Sequence, residues 1–226
     1  MIRSRVKREN IRFAVLAIDV ACFRLIAGKL CVLLGKADAK SFFKNRWGLI
    51  GGMIEPQETA EAAVERHLRE KAGIADIYKE QLYSFSRVNR DPRGRVVSVT
   101  YLALANRNPQ DLKGGETETR WMPVSEAAGL AYDHDEVLKV AVERLRSRIG
   151  YTNLIQHLLP KIFTLTEFQD AYEIILNKKM DKRNFRKKVL AIGMIKPTGS
   201  FRRGEPMRPA KLYKFASSAV SIIEII

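Results

Sequence analysis

Only two of the 226 residues are cysteine, Cys22 and Cys31, and their spacing fits no metal-binding pattern. That excludes a disulfide framework as the source of stability, and both thiols are expected to be reduced and buried. Long apolar runs are missing too. Residues 1–12 are basic and 13–23 mostly apolar, which superficially suggests an export signal. However, Asp19 interrupts the run, Arg24 ends it, and no small-residue cleavage site follows. No stretch reaches the roughly 20 apolar residues of a membrane span, so no membrane partner and a cytoplasmic location are expected. There is no internal repeat and no low-complexity tract. Acid is in short supply: 25 Asp and Glu stand against 40 Lys and Arg, a net charge of +15. This balance calls for a polyanionic partner, whether nucleic acid, an anionic membrane surface or phosphorylated metabolites. The hydrophobic share of 46% is that of an ordinary globular protein, and the length suits two domains.

Residues 13–25 and 29–34 read as strands around a turn at Ala27-Gly28, followed by a polar loop over 36–47. Gly51-Gly52 and Pro56 read as a second loop. Residues 59–72 form a helix that Gly73 closes. A hairpin follows, 77–88 and 95–104, turning through Asp91-Pro92-Arg93-Gly94. A strand at 120–122 and an amphipathic helix at 134–148 complete an α/β sandwich over residues 1–148. The composition then shifts, and 149–226 reads as a second, small domain. It holds helices at 151–159, 166–176 and 181–192, then short strands at 194–197 and 211–215 around a Gly-, Pro- and Arg-containing arm over 198–210.

Most of the net charge lies in that tail. Between Lys178 and Lys214 there are 13 Lys or Arg against two acids. Phe185, Val189 and Ile192 fall on one helical face behind an N-cap at Asp181, while the cations spread over the other faces. Helix, basic helix and basic β-arm form the outline of a winged helix-turn-helix binding double-stranded DNA. The candidate contacts are Lys182, Arg183, Arg186, Lys187 and Lys188 on the helix, and Arg202, Arg203 and Arg208 on the wing. Arg186, Lys187, Arg202 and Arg203 lead. RNA or nonspecific polyanion binding is the competing reading.

The run Gly52-Met53-Ile54-Glu55-Pro56-Gln57-Glu58, continued by Arg66-His67-Leu68-Arg69-Glu70-Lys71-Ala72-Gly73-Ile74, resembles the Nudix box, G-x5-E-x7-R-E-U-x-E-E-x-G-U. The spacing is intact, but His67 and Lys71 replace two glutamates. Positions 67, 70 and 71 share one helix face. The resemblance implies that this face would carry carboxylates holding Mg²⁺ for attack of water on a diphosphate. Here it carries one carboxylate, one imidazole and one ammonium, and Lys71 would repel a divalent cation. No catalytic residue, metal or cofactor is therefore expected, and the domain is read as binding a ligand without cleaving it. A working pyrophosphohydrolase is the alternative, since Glu55 and Glu58 remain. Candidate ligand-binding residues are Trp47, Gly51, Gly52, Glu55, Glu70, Arg90, Arg93, Arg95 and His134. The three arginines suit a pyrophosphate or else form a solvated basic turn. Trp47 would stack on a base or else pack in the core.

The combination of degenerate box, Arg90-Asp91-Pro92-Arg93-Gly94, Tyr132-Asp133-His134 and Lys182-Arg183-Asn184-Phe185-Arg186-Lys187-Lys188-Val189 resembles the Nudix-related transcriptional regulators of bacteria. The resemblance implies a homodimeric repressor on a palindromic operator. Its effector would be a nucleotide sugar, commonly ADP-ribose, and its targets would concern NAD metabolism or sugar utilisation. Asp133 and His134 would face the effector, unless Asp133 merely caps its helix.

Overall fold

The computed structural model describes residues 14–38, 41–106, 115–204 and 207–223; the basic segment 1–12 and Phe13 lie outside them. Strand β1 (Val15–Ile26) is the centre of a mixed six-stranded sheet. Its partners are β2 (Lys29–Lys36), β3 (Trp47–Met53) and β5 (Val96–Leu104), and β4 (Tyr78–Phe85) and β6 (Thr119–Pro123) form the edges. β1 runs parallel to β5 and antiparallel to β2 and β3. The β1–β2 turn places Ala27 and Gly28 at φ 46° and 74°, as a two-residue hairpin loop of the primed type demands.

Both faces of β1 are covered, which explains its nearly continuous apolar sequence. Ile18, Val20 and Cys22 pack with Val64 and Leu68 of α1 (Ala60–Ala72), while Ala21 and Phe23 pack with Val137, Ala141 and Leu145 of α2 (His134–Tyr151). Helix α1 has the expected ends: Thr59 Oγ1 accepts the Ala62 N–H, and Gly73 closes it at φ 65°.

Two expectations are corrected in this layer. Gly51 and Gly52 belong to β3 and not to a loop, in register with Asp19 and Ile18 of β1. Glycine pairs signal turns locally, but here they permit close approach. A Cβ on Gly51 would sit 2.2 Å from the Ile18 carbonyl oxygen, and one on Gly52 2.4 Å from the His67 ring. The helix expected over 151–159 is instead the end of α2 and a 3₁₀ turn, Leu154–His157, so the 148/149 boundary falls within α2. The Thr152 hydroxyl donates to the Arg148 carbonyl, and the Asn153 side chain holds Ala219 O and Ser221 N, bonds that compete with helix continuation.

The C-terminal module contains β7 (Phe163–Thr164), α3 (Leu165–Leu176), α4 (Lys182–Ile192), β8 (Ile195–Gly204) and β9 (Met207–Phe215), the strands lying in the order β7–β9–β8. Thr164 and Glu167 form a capping box on α3, and Asp181 caps α4 through the Asn184 N–H. Phe185 and Val189 are buried and Ile192 half-buried, the stripe expected from their spacing. The arm 198–210 is more regular than expected: β8 and β9 extend into it, with a slip in register between Pro197 and Phe201 where Gly199 takes φ 83°. One apolar core runs from the sheet through Leu145 and Ile149 of α2 into Phe168, Tyr172 and Phe185. Arg146 of α2 also donates to the Ile175 carbonyl of α3 at 2.9 Å.

Candidate functional site

A cleft of about 860 Å³ opens over β3 from Gly48 to Met53, walled by the end of β2 and residues 37, 38, 41 and 45 beyond it, α1, the 90–93 turn, residues 116–118 and the start of α2. At its base lies Asp19, the acid that interrupts the apolar β1 run. Its Oδ2 accepts from Arg90 (2.9 Å) and from the Ser98 hydroxyl (2.7 Å), and its Oδ1 faces His134 Nε2 at 3.1 Å. The Leu49 N–H donates to His134 Nδ1 at 2.9 Å, so that nitrogen is unprotonated and Nε2–H donates to Asp19. Gly48 makes room for this bond, since a Cβ there would lie 2.9 Å from Nδ1. Burial alone would raise the Asp19 carboxyl; His134, Arg90 and Ser98 outweigh it and hold the group far below the usual carboxylate range.

Arg90 differs from the expectation of a pyrophosphate clamp. It is buried, and its fork also grips Asp133, Nε to Oδ2 at 2.9 Å and a terminal N–H to Oδ1 at 2.6 Å. It ties the turn, β1 and the start of α2 together. Asp133 accordingly makes no side-chain cap on α2, so the capping role is corrected. Arg93 lines the cleft, bonded to Asp91 and lying over the Tyr132 ring, 5.7 Å from its centroid. Tyr132, held at φ 57°, lines the cleft and meets the Phe43 ring, which lies outside the lining, at 4.4 Å.

The face of α1 completes the cleft, and it does not fit a divalent metal. His67 Nε2 bonds the Met53 carbonyl at 3.1 Å, so Nε2 is protonated and neither ring nitrogen points outward as a ligand; Nδ1 is buried. Burial, with Lys71 and Arg66 nearby, lowers its pKa. Lys71 Nζ donates to the Gly51 carbonyl, and burial pulls its pKa down against Asp19. Glu58 is gripped by the Arg66 fork and by the Glu55 N–H, which bring its pKa to about 2. Among the described residues, no three His, Cys, Asp or Glu converge as a metal site.

Of the expected ligand residues, Gly51, Gly52, Arg90, Arg93 and His134 line the cleft. Trp47, Glu55, Glu70 and Arg95 lie outside its walls. Trp47 packs under Arg120, whose guanidinium carbon is 4.0 Å from the ring centroid. Glu55 is exposed and Glu70 faces Arg66 at 3.5 Å, while Arg95 bonds the Ser86 carbonyl. Asp19 and Ser98 escaped the sequence reading. A lone acid inside an apolar strand was their only local signal.

On α4, Lys182, Arg183, Lys187 and Lys188 are exposed. Arg186 is half-buried and donates to Thr166 Oγ1 at 2.9 Å, and Arg202 on the wing pairs with Glu167. Both arginines thus reach back to the first turn of α3. The side chains of Arg203 and Arg208 lie outside the described residues.

A sandwich of this topology with a degenerate box, joined to a winged helix with a basic outer face, defines a class: a Nudix fold fused to a nucleic-acid-binding module. Family models divide the chain the same way, the NUDIX domain matching residues 15–145 and the NrtR DNA-binding winged helix domain residues 155–215. The chain belongs to the Nudix-related transcriptional regulator family. It is 36% identical over 207 residues to an ADPR responsive transcriptional repressor, NtrR, of Acinetobacter baylyi, covering 89% of this chain and 82% of that protein. The crystal structure of Shewanella oneidensis NrtR complexed with a 27mer DNA matches with a TM-score of 0.78 at 33% identity, covering 88% of this chain and 93% of that one. The NUDIX domain of the same protein, complexed with ADP ribose, matches with a TM-score of 0.54 at 30% identity, over 62% of this chain and 94% of that domain.

Proposed function

We propose that this protein is a transcriptional repressor that binds operator DNA through α4 and the β8–β9 wing and leaves it when ADP-ribose occupies the cleft. The observation that carries the reading is the position of α2. Its first residue, His134, is bonded to Asp19 at the base of the cleft, and Arg146 near its end is bonded to α3 of the winged helix. A ligand that moves Tyr132 and His134 therefore acts on the helix against which the DNA-binding module is packed. For ADP-ribose to release DNA it must bind the DNA-incompetent arrangement more tightly, because equal affinity for both would shift nothing.

The same reading makes the cleft a binding site and not a catalytic one. The box retains Glu58 and Glu70, but Arg66 stands between them, gripping Glu58 and facing Glu70, and Lys71 points its ammonium at the Gly51 carbonyl. The protein would act as a homodimer on a palindromic site, with half-sites about one or two helical turns apart, and inside the cell, where operator DNA is found. The test is fluorescence anisotropy of DNA from upstream of its own gene, with and without ADP-ribose, beside an assay for AMP release in Mg²⁺. Sequence-selective binding that ADP-ribose weakens, without turnover, is expected. Turnover at ordinary enzyme rates would overturn the non-catalytic reading, and absence of selective DNA binding would overturn the repressor.

A further inference from the structure

Four cationic side chains line the cleft: Lys36, Lys71, Arg90 and Arg93. Three have carboxylate partners. Lys36 pairs with Glu118 at 2.8 Å, Arg90 with Asp19 and Asp133, and Arg93 with Asp91 at 2.7 Å. Among the described residues, Lys71 is the one lining cation without a carboxylate in ion-pair range; its ammonium bonds a backbone carbonyl, that of Gly51. Asp19, across the β1–β3 ladder from Gly51, is already engaged by Arg90, Ser98 and His134. Five acids, Asp19, Asp38, Asp91, Glu116 and Glu118, also line the cleft, but none pairs with Lys71, whose ammonium is partly withdrawn from water on the helix face whose donors do not fit a metal. A desolvated ammonium without a counter-ion is costly, and an anion bonded to it recovers that cost.

We infer that Lys71 is the counter-ion of the bound diphosphate, supplying from the chain itself the positive charge that a divalent cation would otherwise bring, so that the effector binds without metal. The inference rests on the cleft being the effector site. An ammonium is a point charge with rotatable donors, suited to whichever diphosphate oxygen approaches. Rigid neighbours fix where it stands: α1 is held at both ends by its caps, and a Cβ on Gly115 would lie 2.3 Å from the Lys71 carbonyl oxygen, so the 115–116 segment is packed directly on this turn. Two substitutions of the box then have complementary results. His67 turns inward and removes a ligand, and Lys71 puts a cation in the cleft.

The test is calorimetric titration of the full chain with ADP-ribose and, separately, with inorganic pyrophosphate, each in EDTA and in Mg²⁺. Wild type is compared with Lys71→Met and Lys71→Arg, with thermal unfolding as the control for folding. Wild type should bind both ligands equally in EDTA and Mg²⁺, within about twofold. Lys71→Met should lose about 10- to 100-fold for both, the worth of a charge-assisted hydrogen bond, and Lys71→Arg should retain most of the affinity. Binding by wild type that requires Mg²⁺ would overturn the inference without recourse to any variant. Unchanged affinity in a folded Lys71→Met would also overturn it. Pyrophosphate binding that depends on Lys71, in a protein that ignores ADP-ribose, would support the lysine and remove ADP-ribose as effector.

Discussion

Replacing Arg90 with methionine tests the idea that the cleft is organised by a buried ionic network. The guanidinium is 3% exposed and both of its carboxylate partners are 9% exposed. Methionine keeps most of the stem but removes three hydrogen bonds, two to Asp133 and one to Asp19. Asp19 retains Ser98 and His134, whereas Asp133 makes no other side-chain bond among the described residues. Breaking a buried pair from one side costs about 3–5 kcal/mol, because the orphaned charge must be desolvated or protonated. Trp47 and Trp121, the two tryptophans of the chain, both lie in the six-stranded sheet, so their fluorescence reports on the Nudix module. With a urea slope of about 2 kcal/mol/M, the midpoint should fall by roughly 1.5–2.5 M. Adding Asp133→Ala should cost less in the Arg90→Met background than alone, by about 1 kcal/mol or more. A midpoint shift below about 0.5 M, or strict additivity, would refute the network as the organiser of the cleft.

Further outcomes follow from other parts of the molecule. Gly51→Ala should destabilise by about 1–3 kcal/mol in the same urea assay, since the new methyl meets the Ile18 carbonyl oxygen at 2.2 Å and backbone must shift; a neutral result would contradict the tight β1–β3 approach. Stability should also fall with acid. Asp19 and Glu58 have folded pKa values below the unfolded value of about 4, so their contribution is full at neutral pH. It is lost as pH falls through about 4 towards the folded values, and urea midpoints from pH 7 to 3 should show that decline. Lys187→Ala and Lys188→Ala should each weaken binding to all DNA sequences alike and reduce the slope of log affinity against log salt by about 0.9. Unchanged slopes would remove these lysines from the phosphate contacts.

Much of this architecture was legible because local chemistry and tertiary demand agree. Thr59, Gly73, Asp181 and the Phe185–Val189–Ile192 stripe mark helices by short-range rules, and each element stands where those rules place it. The misreadings arise where a distant partner decides. Gly51-Gly52 looks like a turn until β1 is laid against it. Asp133 looks like a cap until Arg90, 43 residues away in sequence, takes both oxygens. Asp19 was read only as a break in an apolar run, since its partners Arg90 and His134 are 71 and 115 residues away. Arg186 and Arg202 carry the charge expected of DNA contacts, but only the fold shows them tethered to Thr166 and Glu167.

The central claim is that cleft and winged helix oppose one another through α2, and reciprocity tests it most directly. ADP-ribose affinity would be measured calorimetrically on the free protein and on the protein saturated with operator DNA, beside DNA affinity with and without saturating ADP-ribose. Linkage requires the two ratios to be equal. The account predicts that DNA weakens ADP-ribose binding by the factor by which ADP-ribose weakens DNA binding, about 5- to 150-fold for typical coupling. Equal ADP-ribose affinity for free and DNA-bound protein would contradict it.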